Sequence, residues 1–294
     1  MLDYHLHLWP HDQADAEATV EQVTAYCLRA VEAGVTEIAL TEHLFRFTQA
    51  RDLLDGFWDD LPGDDLRPGM VAYWDHHARV DLDTYVEVVE AVKAEGLPVV
   101  LGLEVDYYRD RMDQVAGLLA GYPFDVLLGS VHWLGTWRFD VLKEPEVMAE
   151  WEVRDVDAVW DEYAGAMEEL GASGVCDVFA HPDLVKVAGR VPAVPDEYYD
   201  RITEAAVRSG LAAEVSSAGW RKPVGEEYPA PSLLKRLVDR GVPLTTASDA
   251  HALPDVADRA QDLRALLTAA GVTPLRGYRG RRAYDVDVDQ TPGA

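Results

Sequence analysis

The chain has 294 residues, 48% of them hydrophobic, and a formal net charge of −27. That length suits a single α/β barrel with a sizeable core, while the acidity opposes nucleic-acid phosphates and anionic membrane surfaces, whose binding depends on Lys and Arg. No apolar run approaches the roughly 20 residues of a membrane span, and no basic segment followed by an apolar block opens the sequence. The two cysteines, Cys27 and Cys176, form no metal-type pair and read as reduced, partly buried thiols, which leads us to expect a cytoplasmic protein.

Leu2 to Leu8 reads as a strand. Side chains on a strand alternate faces, so His5 and His7 project together and make half of a metal site. Asp15 to Ala33 has helical spacing and stops at Gly34. Val35 to Thr41 is a second strand, with His43 just beyond it. The stretch from 44 to 80, rich in Asp, Gly, Pro and aromatic residues, breaks the strand–helix rhythm and reads as an insertion or lid. Asp81 to Glu95 is a helix, and Leu97 to Val105 is a near-continuous apolar run of the kind buried on both faces of a parallel sheet. Glu104 is out of character in that run. Arg109 to Ala120 is a short helix, and Phe124 to Val131 is a strand ending at His132. A loop with Trp133, Trp137, Arg138 and Asp140 leads to a helix from Val153 to Leu170. Cys176 to Ala180 is a fifth strand, followed by His181-Pro182-Asp183. Helices over Pro195–Ser209 and Ser232–Arg240 flank a sixth strand, Leu211 to Ser216, and a polar loop with Arg221 and Lys222. Val242 to Ala247 is the seventh strand, closed by Ser248-Asp249-Ala250-His251. A last helix covers Asp255 to Ala270, Arg281 to Val286 is one terminal strand, and 287–294 is a loose acidic tail.

Seven strand–helix alternations imply parallel strands with crossover helices, and so one barrel domain spanning 1–294. Sites on such barrels lie at the carboxyl ends of the strands. There the sequence places His5, His7, His43, Glu104, His132, His181, Asp249 and His251, from six of the seven strands. Imidazole and carboxylate donors without cysteine suit Zn, Mn or Fe. A mononuclear zinc needs three or four protein ligands, so this set implies several divalent ions, with Glu104 able to bridge two.

These pieces resemble the PHP (polymerase and histidinol phosphatase) superfamily. The match is carried by His5-x-His7, Thr41-Glu42-His43, Gly102-Leu103-Glu104-Val105-Asp106-Tyr107, Ser130-Val131-His132, Ala180-His181-Pro182-Asp183 and Ser248-Asp249-Ala250-His251, in order. His181-Pro182-Asp183-Leu184-Val185-Lys186 and the run from Glu214 through Arg221-Lys222 to Glu226 resemble the histidinol-phosphatase branch. The resemblance implies a distorted (β/α)7 barrel, TIM-like, with two to three divalent metal ions. One metal would take His5, His7, Glu104 and Asp249. A second would share Glu104 and add His132 and His181. The third would take His43, His251 and a loop residue, His11, although His11 stands closer to His5 than the corresponding ligand of the family does. Asp12 or Asp15 are the alternatives.

The implied reaction is hydrolysis of a small phosphate ester, L-histidinol phosphate, in histidine biosynthesis, by a hydroxide bridging two metals. A metal-bound water or an acid such as Asp183 or His251 would supply the proton for the leaving alkoxide. Arg221, Lys222 and Lys186 are the candidate phosphate contacts in an otherwise acidic chain. The insertion, with Phe57, Trp58, Tyr73, Trp74, His76 and His77, could cover the site. Glu37, Glu42, Asp106, Asp183 and Glu226 are candidates for a substrate ammonium. Competing readings are a phosphoesterase acting on another small ester, an amidohydrolase-like enzyme, and a non-catalytic metal-binding module. Amidohydrolases generally bridge their metals with a modified strand-end lysine, which this sequence lacks.

Overall fold

The computed structural model describes residues 1–13, 17–62 and 64–290. Seven strands form one sheet in sequence order, every neighbouring pair parallel. They are β1 (Leu2–Leu6), β2 (Glu37–Leu40), β3 (Val99–Asp106), β4 (Val126–Ser130), β5 (Val178–Phe179), β6 (Ala212–Ser216) and β7 (Leu244–Ala247). Every residue of β1 and of β3 to β7 is buried, as strands covered on both faces must be. The surrounding helices are α1 (Val20–Glu32), α2 (Thr48–Leu54), α3 (Arg67–His77), α4 (Leu82–Ala94), α5 (Met112–Leu119), α6 (Pro145–Val153), α7 (Val156–Ala172), α8 (Asp196–Ser209), α9 (Pro231–Asp239) and α10 (Ala260–Ala269). Thr19, Asp81 and Asp155 cap α1, α4 and α7 by accepting from the backbone N–H three residues on.

The ends of the sheet approach each other and nearly close the barrel. His7 N donates to the Ala250 carbonyl at 2.8 Å, and Thr246 Oγ1 donates to the Leu2 carbonyl at 2.7 Å. The buried Asp3 carboxylate staples the seam, accepting from Ser248 N and Oγ and from Ala257 N at 2.7–2.8 Å. Burial raises its pKa to about 6.

The structure corrects several boundaries. The described residues of the 44–80 insertion form short helical turns with α2 and α3, and Phe57, Trp58 and Trp74 pack into the main apolar core. Both ends of the insertion are tied together, because the Arg46 carbonyl accepts from Arg79 N and Val80 N. The expected helix from Val153 to Leu170 is α7, which starts at Val156 after its N-cap Asp155, and a further helix, α6, occupies the end of the stretch read as loop. The single terminal strand is an antiparallel hairpin of β8 (Leu275–Arg279) and β9 (Arg282–Val286). Its turn puts Gly280 and Arg281 at φ 51° and 61°, a left-handed turn matched to the twist of paired strands. The hairpin lies across the amino-terminal end of the barrel. There Arg281 Nε reaches Asp177 at 2.7 Å, Gly280 N donates to Asp125, and Arg279, Tyr4 and Tyr284 bond Glu37. The acidic tail is not loose through its described part, because Val288 is buried and the Gln290 carbonyl accepts from the Met1 amino group; 291–294 lie outside the described residues. Cys27 and Cys176 are buried free thiols, and burial raises both pKa values. Among the described residues, no helix is long and apolar enough to cross a membrane.

Candidate metal centre

The carboxyl ends of the strands converge on Glu104, which is fully buried on β3. Its two oxygens face two groups of imidazoles. Oε2 lies 3.2 Å from His5 Nε2, 3.5 Å from His7 Nε2 and 2.7 Å from His43 Nδ1. Oε1 lies 3.0 Å from His181 Nε2 and 3.3 Å from His132 Nε2. Asp249 Oδ1 stands 3.5 Å from His7 Nε2 and 3.9 Å from His5 Nε2. The His7 and His251 rings stack at 4.1 Å, and His11 rests on His251 at 4.2 Å and on His43 at 5.3 Å between centroids.

Four overlapping sets of donor atoms lie within 4.8 Å of one another: His5, Glu104 and His181; His5, His7 and Asp249; His7, His43 and His251; and His43, Asp106 and His132. Several of these donors are buried with no hydrogen-bond partner: His5 Nε2, both ring nitrogens of His7 and His43, Glu104 Oε2 and His251 Nε2. Orphaned buried polar atoms are costly, and clustering them around one carboxylate makes sense for cation binding. The residues therefore fit divalent metal. Imidazole and carboxylate donors without thiolate suit borderline transition ions.

The electrostatics agree. Burial opposes ionisation of Glu104 and Asp249, but His5 and the neighbouring imidazoles hold both carboxyls well below the usual range. Burial, aided by adjacent imidazoles, lowers His43 and His251 well below their usual value, which favours the neutral ring that can offer a lone pair. His181 and Asp249 adopt left-handed backbone, φ 24° and 52°, which aims strand-end side chains at the cost of local strain.

Beneath the candidate ligands sits a layer that the sequence reading missed. Glu214 on β6 accepts from His5 Nδ1 at 2.8 Å, and Asp106 accepts from His132 Nδ1 at 2.5 Å. Glu42 Oε2 lies 3.6 Å from His7 Nδ1. Carboxylates in this position fix the tautomer and raise the basicity of the other ring nitrogen. Glu214 carried the same signal as Glu104, a carboxylate inside an apolar strand. Asp106 is thereby engaged with His132, Glu42 faces His7, and Glu37 lies at the opposite end of the barrel with Arg279.

The predicted phosphate contacts divide. Arg221 stands at the rim, donating to Asp258 and to the Ser248 carbonyl at 2.7 Å and to the Asp249 carbonyl at 3.2 Å. Lys222 is exposed and within electrostatic reach of His11. Lys186 departs from the expectation of a free cation. It is fully buried, with Nζ 2.8 Å from Glu226, 2.7 Å from the Glu227 carbonyl and 3.0 Å from Asp183. Three acceptors use its three N–H groups. Asp183 is fully buried; Oδ2 accepts from Ala230 N at 2.8 Å, and Oδ1 has no hydrogen-bond partner. Asp12 lines the rim beside His11, whereas Asp15 lies outside the described residues. A cleft of about 410 Å³ opens beside His11, walled by Tyr73, His76 and His77 of α3 and by Arg138.

Comparison with known proteins places this geometry among relatives. The PHP domain profile matches residues 3–218. A protein of Deinococcus radiodurans named "Probable histidinol-phosphatase" is 34% identical over 241 residues, covering 81% of this chain and 83% of that one. The HisK structure from Listeria monocytogenes superposes with a TM-score of 0.70 at 19% identity, over 89% of this chain and 99% of that one. Histidinol phosphate phosphatase from Lactococcus lactis, crystallised with zinc, L-histidinol and phosphate, superposes with a TM-score of 0.68 at 20% identity, over 96% and 98%.

Proposed function

The chain belongs to the PHP domain family, and on that premise we propose that it is a metal-dependent phosphomonoesterase that hydrolyses L-histidinol phosphate to L-histidinol and phosphate. The observation that carries the reaction class is Glu104, whose two oxygens face two separate groups of imidazoles. The substrate is supported by the Deinococcus relative and by the ligands of the Lactococcus structure.

His5, His7, Glu104 and Asp249 would hold one metal; Glu104, His132 and His181 a second; His43, His251 and His11 a third. Zinc, manganese and iron all suit these donors. Bound there, such ions supply a strong nucleophile at neutral pH and offset charge on the phosphoryl oxygens.

The remaining steps belong to the chain itself. Glu214, Asp106 and Glu42 orient the ligand imidazoles. Arg221 and Lys222 bring positive charge to the rim, where an anionic ester must enter a field set by a net charge of −27. His251 Nδ1 lies 3.2 Å from the Asp249 carbonyl, and its Nε2 would be the atom left to hold a metal. Asp183, whose Oδ1 has no hydrogen-bond partner, is the side-chain candidate to deliver the proton to the departing alkoxide. Lys186 positions Asp183 rather than phosphate.

The test is phosphate release from a panel of phosphomonoesters by protein of measured metal content. Preferential release from L-histidinol phosphate is the expected result. Metal-replete protein that hydrolyses only other esters overturns the substrate assignment.

A further inference from the structure

We infer that Arg46 is a positioning residue for the third metal site, holding the loop that carries His11; the inference rests on the metal centre proposed above. Arg46 ends the helical turn Leu44–Arg46 after β2 and is fully buried. Its Nη1 donates to the Gln13 carbonyl at 2.9 Å, and its Nη2 donates to the carbonyls of Pro10 at 3.0 Å and Trp9 at 3.3 Å. Glu42 lies 3.4 Å from Arg46 Nε and accepts from Leu8 N at 2.5 Å and Trp9 N at 3.2 Å. One buried ion pair thus grips the main chain on both sides of His11.

This loop has no strand or helix of its own between β1 and α1 through its described part. Gln22 and Tyr26 fix the carbonyls of Leu8 and His7 before it. Among the described residues, Arg46 is the side chain that bonds the Pro10 and Gln13 carbonyls. His11 itself is exposed and gains little from packing, yet its ring sits over His251 and His43. The other proposed ligands stand in or just beyond the strands and need no such grip. A planar guanidinium spreads five N–H donors over a fixed fork, whereas an ammonium offers three from a single point. The clamp therefore decides whether His11, set closer to His5 than the family pattern, reaches the third site.

The experiment is equilibrium dialysis of metal-free protein against zinc at buffered free concentrations, followed by elemental analysis, for wild type, Arg46→Met, Arg46→Lys, His11→Ala and Arg46→Met with His11→Ala. Arg46→Met should weaken the third equivalent by roughly 10–100-fold, the usual cost of losing an outer-shell partner, and leave the first two in place. Adding Arg46→Met to His11→Ala should produce no further loss, because Arg46 acts on the third site through His11. Arg46→Lys, keeping the charge but not the fork, should fall between wild type and Arg46→Met. Circular dichroism checks folding, and the lysine variant carries the test if the methionine variant does not fold. A third equivalent bound with wild-type affinity by Arg46→Met, or loss of all three equivalents together, overturns the inference. Wild-type protein that binds fewer than three equivalents instead overturns the three-site reading beneath it, whatever Arg46→Met does.

Discussion

Replacing Glu214 by Gln removes one charge at nearly constant shape from a fully buried position. Its Oε2 accepts from His5 Nδ1 at 2.8 Å, and its Oε1 lies 3.4 Å from the His181 backbone N. Glu214 therefore supports ligands of both metals that Glu104 would bridge. Loss of an outer-shell carboxylate lowers metal affinity by about 10–100-fold, or about 1.4–2.8 kcal/mol. The amide oxygen can still accept from His5, so the loss should fall within that range rather than abolish binding. The assay is chelator competition with zinc, paired with activity measured across zinc concentration. Activity should fall at limiting zinc and recover largely at saturation. Glu226→Gln, on a side chain 38% exposed and contacting Lys186 rather than a metal ligand, is the control and should leave zinc affinity near wild type. Wild-type zinc affinity in Glu214→Gln would refute the argument that this carboxylate tunes His5.

Three further outcomes follow from the geometry. Burial, with Arg46 next, lowers the His77 pKa to about 3, so the unfolded chain binds the extra proton between that value and its ordinary 6.5. Stability should therefore fall as pH drops from 7 to 5, by up to about 2 kcal/mol from this group, and His77→Gln should flatten that part of the profile in urea titrations of metal-free protein; an unchanged slope would contradict it. Asp155→Ala removes the cap of α7, which should cost about 1 kcal/mol and lower the melting temperature by a few degrees with metal content unchanged. A Cβ at Gly219 would meet the Glu226 carbonyl oxygen at 2.0 Å, so Gly219→Ala should displace the turn that carries Arg221 and raise KM for the phosphate ester more than it lowers kcat.

The barrel and its candidate ligands were readable because two regularities coincide. Buried parallel strands read as apolar runs, and barrel sites sit where those runs end, so His43, His132 and His181 announced themselves by position. Glu104 stood out as a charge inside such a run. The layer beneath was harder, because Asp106 and Glu42 meet their imidazoles across neighbouring strands and Glu214 meets His5 only where the barrel closes, at sequence separations no pattern records. Lys186 looked like a free cation near a strand end, and only the folded loop at Glu226–Glu227 reveals its enclosure. The insertion's aromatic residues carried no sign of which faced inward; Phe57, Trp58 and Trp74 proved to be core. The terminal hairpin was missed at its first strand, where Leu275 to Arg279 is short and interrupted by glycine and arginine.

The most direct test of the account is the anomalous-scattering structure of crystals grown from metal-replete protein. The account predicts an ion within about 2.0–2.2 Å of each Glu104 oxygen, one shared with His5, His7 and Asp249 and the other with His132 and His181. Ions bound elsewhere, with both Glu104 oxygens beyond coordination distance of any metal, would contradict it.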